Sequence, residues 1–265
     1  MLCKEIIEII EKNYPTSYAM EWDNVGLLVG RDNKEVKRIY IALDATDEVI
    51  DAAIDTKADM IVTHHPLIFG GMKRINNQDF LGRRILKLIA NDICCYAMHT
   101  NYDVFGMADL SGEKMHFENA EVLEVTCEKE DAHQKIIPMG IGKIADLQAE
   151  LTLAQCCEKV KEVFSLSHVK VFGDLAQAVK RIAICPGSGK SVIGEAIKKR
   201  ADVLITGDIG HHEGIDSVAQ GLSVIDAGHY GIEHIFIEDM QNYLKKNTYG
   251  VEVISAPIIH PFEIV

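Results

Sequence analysis

The chain has 265 residues, 48% of them hydrophobic, and a formal net charge of −13. That length and apolar content exclude a disordered chain and supply a core for one large domain or two small ones. The acidic balance excludes the broad basic footprint that duplex nucleic acid demands, while a local basic patch for nucleic acid stays open, and no apolar run approaches the roughly 20 residues of a membrane span.

The opening stretch, "MLCKEIIEIIEKNYP", carries charges at helical spacing and predicts an amphipathic helix, not a signal peptide. In "EWDNVGLLVG" the residues Trp22, Asp23, Asn24 and Gly26 predict a turn before a strand at Leu27–Val29. Trp22 is expected to pack on the core at that corner. A strand at Ile39–Leu43, a helix at Asp47–Thr56 and a strand at Met60–Thr63 follow. The third of these runs into "ADMIVTHHPLIF", where Pro66 cannot donate to a ladder and ends the strand near His65. His64 and His65 therefore stand at the carboxyl end of a buried parallel strand, where open α/β sheets bind ligands. A solvated surface turn is the competing reading of this pair.

A repeat organises the chain. From Arg38, "RIYIALDATDEVIDAAIDTKADMIVT" aligns without a gap to "RIAICPGSGKSVIGEAIKKRADVLIT" from Arg181, with ten identities in 26 positions. Each copy reads as strand, helix, strand. The second copy has strands at Ile182–Cys185 and Val203–Thr206 around a helix at Ser191–Lys199. Beyond each copy a further strand ends in matching chemistry, "CCYAMHTNYDV" (Cys94–Val104) and "SVIDAGHYGIEH" (Ser223–His234). That alignment sets His99 against His229 and Asp103 against Glu233. Residues four apart share one face of a helical turn, so each pair can share one ion. The fold expected is α/β, with duplicated strand–helix–strand halves forming two intertwined lobes around a central metal cleft. The halves are 1–124 and 181–265, joined by 125–180 into one composite domain. Within the joining segment, Pro138 to Lys143 predicts a turn and short strand, and Thr152 an N-cap for a helix over Leu153–Phe164.

The ligand candidates are His64, His65, His99, Asp103, His229 and Glu233. Imidazole with carboxylate suits Zn, Mn or Fe, and so many donors fit two ions better than one. On this reading His64 and His65 serve one ion each. Asp103 also reads as a plain turn residue, and Glu233 as a solvated helix start. In "GDIGHHEG" the repeat sets Gly207 and Asp208 at the places of His64 and His65. Asp208 and His212 are candidates for a supporting or substrate-facing role, with a plain surface role as the alternative. "PGSGKS" (Pro186–Ser191) is not a P-loop, because the glycine that the signature needs five residues before Gly189 is Ile184. The seven cysteines are odd in number and form no C-x-x-C, which reads as reduced thiols in a cytoplasmic protein.

Five motifs, "WDNVGLLVG", "DMIVTHHPLIF", "HTNYD", "LITGD" and "IDAGHYGIE", carry a resemblance along the whole chain to the Ngg-interacting-factor-like family, also labelled GTP cyclohydrolase 1 type 2 homologues. The resemblance implies two divalent transition-metal ions per subunit. It places the ligands on His64, His65, Asp103, His229 and Glu233, with His99 near them. It further implies a toroidal homohexamer, a trimer of dimers. Some members carry an inserted central domain, for which this chain is too short. The family label implies hydrolytic opening of a purine ring. Two readings stay open: a metal-dependent hydrolase of a nucleotide-like or phosphorylated small molecule, and a non-enzymatic metal-binding scaffold in stress response or DNA repair.

Overall fold

The computed structural model describes residues 1–130 and 134–265. The chain forms two compact units, Met1–Tyr102 with Phe236–Ile259, and Asp103–Ile235 with His260–Val265. These boundaries are not the ones the sequence predicts at 124 and 180.

In the first unit, helix α1 (Cys3–Asn13) buries Cys3, Ile6 and Ile10 along one stripe, as its spacing predicts. Strand β1 (Gly26–Val29) is followed by β2 (Arg38–Ala42), helix α2 (Asp47–Asp55), β3 (Met60–Thr63), helix α3 (Phe80–Ala90) and β4 (Cys94–Ala97). The Thr46 hydroxyl caps α2 by accepting from the Val49 amide, and the Asp79 carboxylate caps α3 by accepting from that of Gly82. Strands β4, β3 and β2 lie parallel in that order. A strand at Glu252–Ser255 adds in parallel beyond β2, and β1 adds antiparallel beyond β4. Every residue of β3 and β4 is buried, as a doubly covered parallel sheet requires. Ile50, Ala53, Ile61, Ile85 and Leu88 pack together in this core. Full burial of a side chain such as Ile61 contributes about 1.5–3 kcal/mol.

The second unit opens with a π-helical turn at Asp103–Met107, then helix α4 (Ala108–Lys114), β5 (Glu121–Glu130) and β6 (Ile136–Thr152). The short strand expected near Pro138 is thus one part of a 17-residue strand. The segment read as a connector supplies two strands and a helix to this unit. Helix α5 (Leu153–Val163) is capped by Thr152 and Gln155 in a reciprocal box. Strands β7 (Lys170–Phe172) and β8 (Ala178–Ser188), helix α6 (Ile193–Lys198), β9 (Val203–Gly207), helix α7 (His211–Ala219), β10 (Ser223–Asp226) and the short helix α8 (His229–Glu233) complete it. The strands run β5-β6-β8-β9-β10-β7, with β8, β9 and β10 parallel and β7 antiparallel at the edge.

The repeat is real down to hydrogen bonds. Ile39 pairs with Met60, and its equivalent Ile182 with Val203. The Asp59 carboxylate accepts the amides of Lys37 and Arg38, and Asp202 accepts those of Lys180 and Arg181. The Arg38 guanidinium donates to Thr56 O, and that of Arg181 to Lys199 O. The third strand departs from the sequence alignment by one residue. The Met98 amide donates to Thr63 O and the Ala227 amide to Thr206 O. Position 229 therefore corresponds to Thr100, not to His99.

Candidate metal centre

In the first unit the donors gather where β2, β3 and β4 end. The Thr63 hydroxyl donates to His65 O and the His65 amide to Leu43 O, which fixes the turn after β3. Successive side chains of a strand point to opposite sides, and each imidazole leans on a different neighbouring strand. His64, fully buried, sets its Nδ1 2.9 Å from Met98 O beyond β4. His65 sets its Nδ1 2.7 Å from Asp44 Oδ1 beyond β2. His99 sets its Nδ1 2.9 Å from Asp23 Oδ1. A carbonyl only accepts, so His64 donates from Nδ1 and keeps the Nε2 lone pair when neutral; the two carboxylates select the same tautomer. Ligating atoms of His64, His65 and His99 lie within 4.8 Å of one another.

Asp23 holds its place unusually firmly. Its side chain has no exposed surface. It takes the Thr100 amide at 3.0 Å and the Thr100 hydroxyl at 2.5 Å in addition to His99. Burial alone would raise its carboxyl, but the hydrogen bonds from His99 and Thr100 outweigh it and hold the group at about 2. Trp22 beside it is 60% exposed, against the expectation that it packs on the core.

In the second unit, α8 places His229 and Glu233 one turn apart, with Nε2 3.0 Å from Oε2. His229 Nδ1 lies 2.8 Å from Asp208 Oδ2. Asp208 stands in the left-handed region at φ 57°, a conformation Asp tolerates better than most residues. Asp103 opens the π-helical turn, and a carboxylate oxygen of Asp103 lies within 4.8 Å of one of Glu233. π-turns inside helices recur at functional sites. Burial raises the Cys185 thiol, and the charges of Asp103 and Glu233 push the same way, so it stays protonated.

Glycines make the room for this arrangement. A Cβ on Gly187 (φ 74°) would sit 2.4 Å from Glu233 Oε1 and 3.7 Å from His229 Nε2. A Cβ on Gly207 would sit 2.6 Å from the His229 amide nitrogen, which explains why the second copy has no histidine at the place of His64. His212 rings with His211 at 5.2 Å on α7 and belongs to none of the donor groups among the described residues. Asp23 and Asp44 are the site residues that sequence reasoning missed as histidine partners.

The fit to a metal is chemical. Two carboxylates this close, one of them almost wholly buried in Glu233, repel unless a proton or cation lies with them. Four imidazoles each have Nδ1 engaged by an oxygen, the arrangement that orients Nε2 toward a metal. Fold and donors together define a duplicated α/β protein with side-chain groups that could hold a metal ion.

The chain belongs to the Duf34/NIF3 (NGG1p interacting factor 3) family, whose model matches residues 1–261. It is 35% identical over 269 residues to a GTP cyclohydrolase 1 type 2 homolog of Clostridium perfringens, covering 100% of both chains. The homolog of that name in Bacillus subtilis is 27% identical, covering 98% of this chain and 97% of its own. That alignment runs over 364 positions against 265 residues here, so that relative carries inserted sequence. Among solved structures, a Bacillus cereus protein related to NIF3 superposes with a TM-score of 0.90 at 28% identity, covering 100% of this chain and 99% of that one.

Proposed function

We propose that this protein is a metal-dependent hydrolase of a nucleotide-like or phosphorylated small molecule. About two divalent transition-metal ions, Zn, Mn or Fe, would be held by side chains among His64, His65, Asp103, His229 and Glu233. The observation that carries this reading is the uniform engagement of Nδ1 in His64, His65, His99 and His229.

Metal ions bound here would polarise a carbonyl or phosphoryl oxygen and make water a nucleophile near neutral pH. The chain's own residues do the rest. Asp44 and Asp208 hold the Nδ1 protons of His65 and His229 and so keep each Nε2 basic. Asp103 and Glu233 would bring negative charge against the bound dications. Cys185 stays a thiol and takes no nucleophilic part. Lys190 is paired with Glu213 and stands outside the chemistry. The same reading includes a homohexamer built as a trimer of dimers, and residence in the cytoplasm. The seven free thiols accord with a reducing compartment, and no described helix is long and apolar enough to cross a membrane.

The test is turnover by metal-loaded protein over a panel of nucleoside triphosphates and phosphorylated metabolites. Glu233→Gln loses turnover with the fold retained, and Lys190→Ala keeps it. Loss of turnover in Lys190→Ala with full activity in Glu233→Gln would overturn the reading and favour the phosphate loop.

A further inference from the structure

Beside the histidine cluster of the first unit stand two aromatic rings that the fold does not bury. Trp22 is 60% exposed and Phe69 is 56% exposed. Their centroids lie 5.8 Å apart with planes inclined by 35°. Both stand edge to face with His99, with centroids 5.9 Å away for Trp22 and 6.1 Å for Phe69. His99 in turn shares the donor cluster with His64 and His65.

These rings are held in place, not loose. Asp23, next to Trp22, is buried and ties the turn to His99 and Thr100. The Asn24 amide group donates to Ile68 O at 2.5 Å, which joins the turn to the segment bearing Phe69. Large aromatic side chains bury favourably, so a fixed exposed pair next to ligating histidines stands against the ordinary preference. The pair is also too small for a stable protein interface. Two such rings offer at most a few hundred Å², well under the ~800 Å² per partner of a standard complex. What they fit is one flat ring.

We propose that Trp22 and Phe69 form a stacking platform for a planar heteroaromatic ring, and that this ring is the part of the substrate the protein grips. The proposal rests on the hydrolase reading above and narrows its substrate to ring-bearing molecules of the nucleoside class, against sugar phosphates and other aliphatic phosphates. Stacking is indifferent to hydrogen-bond pattern, because every base has a π-face. The platform thus selects a class of molecule, and the donors of the metal centre act on whatever part of it lies beside His99.

Trp22 is the single tryptophan of the chain, so its fluorescence reports the platform directly. The full chain is titrated with guanosine and adenosine, and separately with ribose 5-phosphate, using free N-acetyltryptophanamide to correct for absorption. The expected result is saturable quenching by the nucleosides and none by ribose 5-phosphate. Phe69→Ala and the apolar but non-aromatic Phe69→Leu weaken the nucleoside by roughly tenfold, the scale of one lost base–aromatic stack. Tyr249→Ala, an aromatic residue 83% exposed elsewhere on this unit, leaves it unchanged. Quenching persists after metal is stripped, which separates a failure here from a failure of the metal reading. The proposal is overturned by unsaturable quenching, by an equal response to ribose 5-phosphate, or by unchanged affinity in both Phe69 variants. It is also overturned if acrylamide cannot reach Trp22 in the protein alone, because another protein surface then covers the pair.

Discussion

Replacing Gly187 by alanine disturbs the proposed metal centre from a residue that is not among its proposed ligands. The added Cβ would stand 2.4 Å from Glu233 Oε1, and ordinary contact begins near 3.4 Å, so the carboxylate must retreat by 3.4 − 2.4 = 1.0 Å. The atom that yields is the far end of a side chain, so the fold survives while the ligand moves. Metal sites hold their distances within roughly 0.2 Å, so a shift of this size would break the coordination proposed for Glu233. Alanine at φ 74° costs a further ~1–2 kcal/mol in the left-handed region, which for a chain of this length lowers the unfolding midpoint by about 2–4 °C. The assay is metal affinity by competition against a chelator, with thermal unfolding followed in parallel. We expect affinity to fall roughly tenfold or more, the scale seen when the support of a ligand is lost. Gly194→Ala is the control, since a Cβ there meets nothing within 4 Å and no positive φ is involved. A Gly187→Ala protein with undiminished affinity would refute the placing of Glu233 in the centre.

Two further outcomes concern the scaffold. Asp202 Oδ2 accepts two backbone amides at 2.7 Å each, so Asp202→Ala lowers stability by about 2 kcal/mol. Asp59→Ala does the same through its own pair of amides, and a midpoint in thermal unfolding that falls in one variant but not in the other would contradict the equivalence of the two copies. Burial raises the Glu124 carboxyl above 4.5, and one of its oxygens has no hydrogen-bond partner. A raised carboxyl pKa penalises the fold once pH exceeds the unfolded value, so Glu124→Gln raises the unfolding midpoint at pH 7. The gain vanishes as pH falls below about 4, where glutamic acid is protonated in both states; a gain that persists there would assign it to another cause.

The strand–helix–strand copies were legible in the sequence because ten identities fix both their elements and their register. His64 and His65 were legible because a buried strand that stops at Pro66 must present them at its end. Other features were hidden for identifiable reasons. A histidine's Nδ1 partner can come from anywhere in the chain, so Asp23 and Asp44 carried no local mark. Pro138, Gly140 and Gly142 read as a turn, yet a Cβ on Gly140 would collide with Glu124 O, and glycine there lets the two strands approach. The phase of a strand-to-helix junction is invisible to alignment, so His229 was matched to His99 although the hydrogen bonds set it against Thr100. The return of Glu252–Ser255 to pair with β2 depends on contacts more than 200 residues apart, with no local sequence signal.

The central claim is the proposed metal centre, with Glu233 among its ligands. Elemental analysis of the protein, purified without chelator and then of the Glu233→Gln variant, addresses it most directly. The account predicts about two transition-metal ions per chain in the parent and the loss of at least one in the variant, whose side chain keeps its size but not its charge. Metal content near zero in the supplemented parent, or both ions retained in Glu233→Gln, would contradict it.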